Sequence, residues 1–83
     1  MKSAIIKFEP FLINQTVFVC EGESITPHKV KTLDVMNFLK TEPDLKAVHL
    51  FGTQDYLNHF SNELNHYNKY EKKDGRIEIF INE

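Results

Sequence analysis

Lys46 to Tyr70, KAVHLFGTQDYLNHFSNELNHYNKY, is the stretch whose reading decides the fold. Ala47 to Phe51 is a short apolar run with β-branched and aromatic content, as in a buried strand, and Gly52 ends it. Thr53 is a good N-cap residue and Asp55 suits the positive end of a helix dipole, so a helix is expected to start here. At about 100° per residue, Leu57, Phe60, Leu64 and Tyr67 fall on one stripe, with Asp55, His59, Asn62 and His66 on the opposite side. The stretch therefore reads as a strand, a tight turn and an amphipathic helix packed back on the strand, which is half of a βαβ unit.

Working outward, Ser3 to Glu9, SAIIKFE, alternates as a strand, with Ala4, Ile6 and Phe8 on one face and Ile5, Lys7 and Glu9 on the other. Pro10 and the turn-prone Asn14-Gln15 make PFLINQ a hairpin connection, and Thr16 to Glu21, TVFVCE, a second strand antiparallel to the first. Ile25 to Lys31 carries Pro27, which suits a short edge strand. Thr32 is placed to cap a helix from Leu33 to about Lys40, which Glu42-Pro43-Asp44 terminates. Beyond Tyr70, the charged run EKKDG with its Asp74-Gly75 turn leads into a last strand, Arg76 to Asn82, with Ile77, Ile79 and Ile81 on one face.

The element order is thus β-β-β-α-β-α-β. Right-handed crossovers that both move the same way across the sheet put both helices on one face. The expected fold is a two-layer α/β domain with a mixed five-stranded sheet of order 3-2-1-4-5. Its expected core includes Ile6, Phe8, Val48, Leu50, Leu57, Phe60, Leu64, Ile77, Ile79 and Ile81.

Composition narrows the function classes. At 83 residues the chain makes one domain with a small core, for which a partner is a common supplement. A formal charge of −2 gives no basic footprint for nucleic acid. One cysteine, Cys20, permits no internal disulfide and no Cys-x-x-Cys site, which fits a reducing compartment. The apolar patch Ala4 to Phe8 is too short for a signal-peptide core or a membrane span, so a cytoplasmic location and no membrane partner are expected.

The element order resembles the minimal ribonuclease H-like sheet, a likeness of topology without a shared motif. The hydrophobic-Leu-Phe-Gly stretch at Val48 to Gly52, the tyrosine in the following helix and the isoleucine strand at the end are also similar to small phage or prophage proteins of Gram-positive bacteria. That resemblance implies an accessory protein made in a bacterial cytoplasm. A ribonuclease H-like nuclease needs clustered carboxylates at the sheet centre to hold two metals, whereas here the first strand offers only Glu9 and the fourth none. Gly22, Gly52 and Gly75 stand alone, so no phosphate-binding loop is present and no cofactor is expected. His59, Glu63 and His66, at i, i+4 and i+7, have the spacing of a zinc set, but on an open helix surface without a fourth ligand. Cys20 in a strand reads as a structural thiol.

No catalytic set emerges from this reading, and the expectation is a non-enzymatic interaction protein that contacts itself, as a homodimer, or a host or phage protein. The alternative is a degenerate or atypical ribonuclease H-like hydrolase. The expected interface is the sheet face that the helices leave open, with Ile5, His49, Phe51 and Phe80, Val17 or Phe18, and Val19 or Cys20, mixed with Lys7, Glu9 and Glu78. The competing arrangement has Pro10 to Ile13 folded across that face.

Overall fold

The structure, a computed structural model, describes residues 1–72 and 75–82. Its strands are β1 (Lys2–Lys7), β2 (Asn14–Glu21), β3 (Ser24–Lys31), β4 (Leu45–Phe51) and β5 (Glu78–Asn82). A 3-10 turn at Thr32–Asp34 leads into helix α1 (Val35–Thr41), and helix α2 (Gln54–Tyr70) joins β4 to β5. The sheet order is β3-β2-β1-β4-β5, with β1 antiparallel to β2, β2 antiparallel to β3, and β1, β4 and β5 parallel. This is the mixed five-stranded α/β sheet expected. Asp74, half of the expected Asp74-Gly75 turn, lies outside the described residues.

Pairing fixes which face each strand residue occupies. Ala4 and Ile6 of β1 stand beside Val19 and Val17 of β2 and beside Val48 and Leu50 of β4, and all are buried. These form one apolar cluster with Val35, Met36 and Leu39 of α1 and Leu57, Phe60 and Leu64 of α2, so both helices cover the same side of the sheet. The choice left open by TVFVCE is settled by register: Ile5 pairs with Phe18 and Ser3 with Cys20, which sends Phe18 and Cys20 to the other side. At the start of β4 a register shift leaves Lys46 as the extra residue, since Lys2 pairs with Leu45 but Ser3 with Ala47. The bulge turns Leu45 into the helix-side core, where strict alternation back from Val48 puts Lys46 instead.

The β4–α2 turn is tight. Phe8 donates its N–H to the Phe51 carbonyl at 2.8 Å, drawing the end of β1 against Gly52. A Cβ at Gly52 would lie 3.1 Å from the Phe8 Cβ, and its φ of 149° is a region that glycine alone adopts freely. The Phe8 ring then stacks on Phe60 (centroids 4.3 Å) and Tyr56 (5.5 Å), while at the far end of α2 the Asn68 side chain exchanges two 2.8 Å hydrogen bonds with the Ile77 backbone. The helix therefore crosses the sheet obliquely, from β1 at its N-terminus to β5 at its C-terminus.

That crossing corrects two expected core positions. Ile77 is buried, Ile79 only partly, and Ile81 is 45% exposed, although Ile81 pairs with the fully buried Leu50. β5 is an edge strand, and α2 has already swung away over β1 where Ile81 sits. The caps also differ from expectation. Thr53 holds the N-cap position of α2, but its hydroxyl makes no cap hydrogen bond; its carbonyl accepts the Leu57 N–H at 3.0 Å. α1 begins at Val35 after the 3-10 turn, and Thr32 serves the β1–β2 loop instead of capping it.

Leu64→Ala or Phe60→Ala is expected to destabilise the fold by about 2–5 kcal/mol in urea unfolding. Near-neutral midpoints for both would contradict the core assignment. Thr53→Ala, by contrast, is expected to stay within about 0.5 kcal/mol of the parent, because the hydroxyl it removes has no backbone partner. A loss of about 1 kcal/mol, the usual value for a bonded cap, would show that the hydroxyl does cap the helix in solution.

Candidate functional site

With both helices on one side, the opposite face of the sheet carries three transverse rows. The middle row crosses all five strands: Pro27 pairs with Phe18, Phe18 with Ile5, Ile5 with His49 and His49 with Phe80. The row toward the strand ends holds Lys29, Thr16, Lys7, Phe51 and Asn82, and the opposite flanking row holds Ile25, Cys20, Ser3, Ala47 and Glu78. None of these residues belongs to the helix-side core cluster.

The middle row is apolar but for one imidazole, and that imidazole is stacked. The His49 and Phe80 rings lie 4.7 Å apart and 12° from parallel. Phe18, Phe51 and Phe80 are 38%, 37% and 43% exposed, and Ile25 more so, while Ile5 and His49 are half-covered by these neighbours. The face is therefore a half-apolar surface with its aromatic groups accessible and its lysines and Glu78 at the margins. The expected interface residues Ile5, His49, Phe51 and Phe80 do stand together on it. Glu9 lies beyond the end of β1 at Lys7, in the loop that follows, and reaches the face only at its corner.

That loop does not fold across the face. Phe11 is 100% exposed, Ile13 largely so and Leu12 half so. It is nevertheless a built structure, held by the one buried polar side chain among the described residues, Gln15 at 2% exposure. The Gln15 amide oxygen accepts the Glu9 N–H at 2.9 Å, and its amide nitrogen donates to the Glu9 carbonyl and to the Thr32 hydroxyl, both at 3.0 Å. The Thr32 hydroxyl in turn faces the Leu12 and Ile13 carbonyls at 3.0 and 3.1 Å, and the Thr32 N–H donates to the Ile13 carbonyl at 2.8 Å. Phe11, at φ 69°, takes a backbone conformation uncommon for a bulky residue, and the network on either side holds it there. Leu12 leans toward the open face, where with Phe18, Lys7, Glu9, Asn14, Gln15 and Thr16 it frames a corner concavity of about 230 Å³. The loop is a rim to the surface. Sequence reasoning had no signal for this, since glutamine is ordinarily exposed and its burial follows only from the pairing of β2 with β1 and β3.

The histidines of α2 are arranged differently from a ligand set. His59 Nε2 lies 3.3 Å from Glu63 Oε1 on the exposed surface, whereas His66 packs its ring against Tyr70 at 4.7 Å. Among the described residues no group of three or more His, Cys, Asp and Glu side chains converges on one point. His59 and Glu63 instead border a groove of about 450 Å³ between the helices, lined by Thr32, Leu33, Met36, Tyr56 and Phe60. Cys20 is half-buried on the open face between Ser3 and Ile25.

Among the described residues, Lys2 is the ionisable group shifted from its ordinary value. Lys2 Nζ sits 2.8 Å from Glu42 Oε1, and that hydrogen bond holds the lysine above its usual 10.5 while partial burial pulls it down. A raised ammonium pKa adds stability below the ordinary value and loses it only as pH climbs through the higher folded one, so this tie between β1 and the end of α1 is intact throughout the neutral range.

Comparison with protein-family models, with curated proteins and with solved structures finds no match for this chain. Among the described residues no helix is long and apolar enough to cross a membrane.

Gln15→Leu keeps the bulk and removes three hydrogen bonds, stranding the Glu9 backbone groups. It is expected to cost about 1–3 kcal/mol in urea unfolding. A change below about 0.5 kcal/mol would show that the loop does not depend on this side chain.

Proposed function

We propose that this chain is a non-enzymatic interaction protein of the accessory kind, working by protein–protein contact through its uncovered sheet face, with a second copy of itself as the partner. The observation that carries the reading is the unbroken middle row, Pro27, Phe18, Ile5, His49 and Phe80, spanning the whole width of a sheet on the side no described element covers. Contiguous apolar surface beyond a few hundred Å² is uncommon on monomers and marks contact sites. A sheet face is flat, and a flat face meets a copy of itself through a two-fold axis without needing a second, complementary shape. The small core supports the same reading, because pairing two such faces adds a second apolar layer.

Sedimentation equilibrium at micromolar concentration is expected to show a dimer. Phe80→Glu, which places a carboxylate beside His49 in the apolar row, is expected to raise the dissociation constant at least about tenfold, equivalent to about 1.4 kcal/mol, with an unchanged circular dichroism spectrum. A monomeric parent overturns the proposal. A variant that dimerises as tightly as the parent moves the contact off this face, and a heterologous protein seated on the same residues would appear as a parent monomer whose Phe80→Glu form loses that partner.

A further inference from the structure

The three rows also distinguish how a second copy can sit. Resting on the reading of the open face as a self-association surface, we infer that the two-fold axis runs across the strands, along the row Pro27, Phe18, Ile5, His49 and Phe80, so that each of these residues faces its own copy.

Two axis directions lay one aligned sheet face on another. An axis parallel to the strands passes over β1, the central strand, and exchanges β3 with β5 and β2 with β4. It sets every β1 residue of the face against itself, which brings Lys7 onto the partner copy's Lys7, and it lays the exposed apolar Ile25 of one copy over Glu78 of the other. Like charges directly opposed in a closed interface, and a carboxylate desolvated by an apolar chain, are both unfavourable. An axis across the strands instead exchanges the two flanking rows and leaves each strand over its own copy. Lys7 then faces Ser3, Thr16 faces Cys20, and Glu78 faces Asn82, so no like charges meet. Lys29 faces Ile25, where its aliphatic stem can cover the apolar side chain while the ammonium stays in water.

Shape agrees with charge. Phe51 stands up from the face, whereas Ala47, four residues earlier on the same strand, is small and buried at 1% exposure. The axis across the strands sets Phe51 of each copy over Ala47 of the other, large against small, twice. The axis along the strands sets Phe51 over Thr16. The offset of roughly 30° usual between aligned sheets tilts the chosen axis by about half that, and Ile5 on the central strand remains at its centre.

The two arrangements separate identical residues by different distances. With facing sheets about 10 Å apart and strands about 4.8 Å apart, Pro27 on the edge strand comes within about 11 Å of its copy under the proposed axis and about 22 Å under the other. Lys7 does the reverse, at about 16 Å and about 10 Å. In a Cys20→Ser background, single Pro27→Cys and Lys7→Cys variants are treated with a short bismaleimide and resolved on a denaturing gel. Circular dichroism confirms that each folds, and sedimentation that each still dimerises. Pro27→Cys is expected to give a covalent dimer and Lys7→Cys to remain monomeric on the gel. The opposite pattern assigns the axis along the strands and overturns the inference, as does linking of both variants or of neither while the dimer persists in the centrifuge. A parent that sediments as a monomer is a separate result, and it removes the underlying reading of the face.

Discussion

The two crossovers, β3 to β4 through α1 and β4 to β5 through α2, travel in the same direction across the sheet, and right-handed connections of that kind send both helices to one side. The packing follows from this constraint. The helix side collects Ala4, Ile6, Val17, Val19, Val48 and Leu50 under Leu39, Leu57, Phe60 and Leu64, and all of these are buried. The other side keeps Phe18, Ile5, His49, Phe51 and Phe80 in a layer that no described element covers. A third crossover in the opposite direction would have covered that layer, and the chain has no further helix among its described residues with which to make one.

Much of this was legible because the pattern and the topology agree. Alternation in SAIIKFE and the 3.6-residue stripe of α2 mark elements that pair and pack as expected, RIEIFIN supplies a strand that pairs as expected without burying Ile81, and the order of types is enough to place five strands and two helices. TVFVCE was ambiguous because both of its faces are apolar, so period alone could not choose between Val17 and Phe18; only the register against β1 decides. Ile81 misled because alternation reports which face a residue takes and not whether anything lies over it. The oblique path of α2, from the Phe8 stack to the Asn68 contact at Ile77, is a tertiary fact with no local signature.

The candidate surface was legible in outline for the same reason, and its rim was not. Phe11, Leu12 and Ile13 look like a lid for an apolar face when read as composition. Their exposure traces to Gln15 and Thr32, polar residues drawn from two other places in the chain that satisfy the loop's backbone and hold it clear. Thr32 and Thr53 both have the residue type and position of a helix cap. Whether such a hydroxyl finds a backbone partner depends on which groups tertiary structure brings within about 3 Å: Thr32 meets the Leu12 and Ile13 carbonyls, and Thr53 makes no cap hydrogen bond. His59, Glu63 and His66 share a helix surface as their spacing requires, but ring packing of His66 on Tyr70 takes the third member away from the first two.

The bare sheet face is the surface proposed to meet a second copy of the chain. The most direct measurement is a series of two-dimensional ¹H–¹⁵N spectra of the native chain recorded over a wide dilution range. The account predicts concentration-dependent shifts concentrated on Ile5, Phe18, Ala47, His49, Phe51 and Phe80, with the amides of α1 and α2 unmoved. Shifts mapping instead to the helices or to Phe11–Ile13, or spectra that do not change with concentration together with a monomer's rotational correlation time, would contradict it.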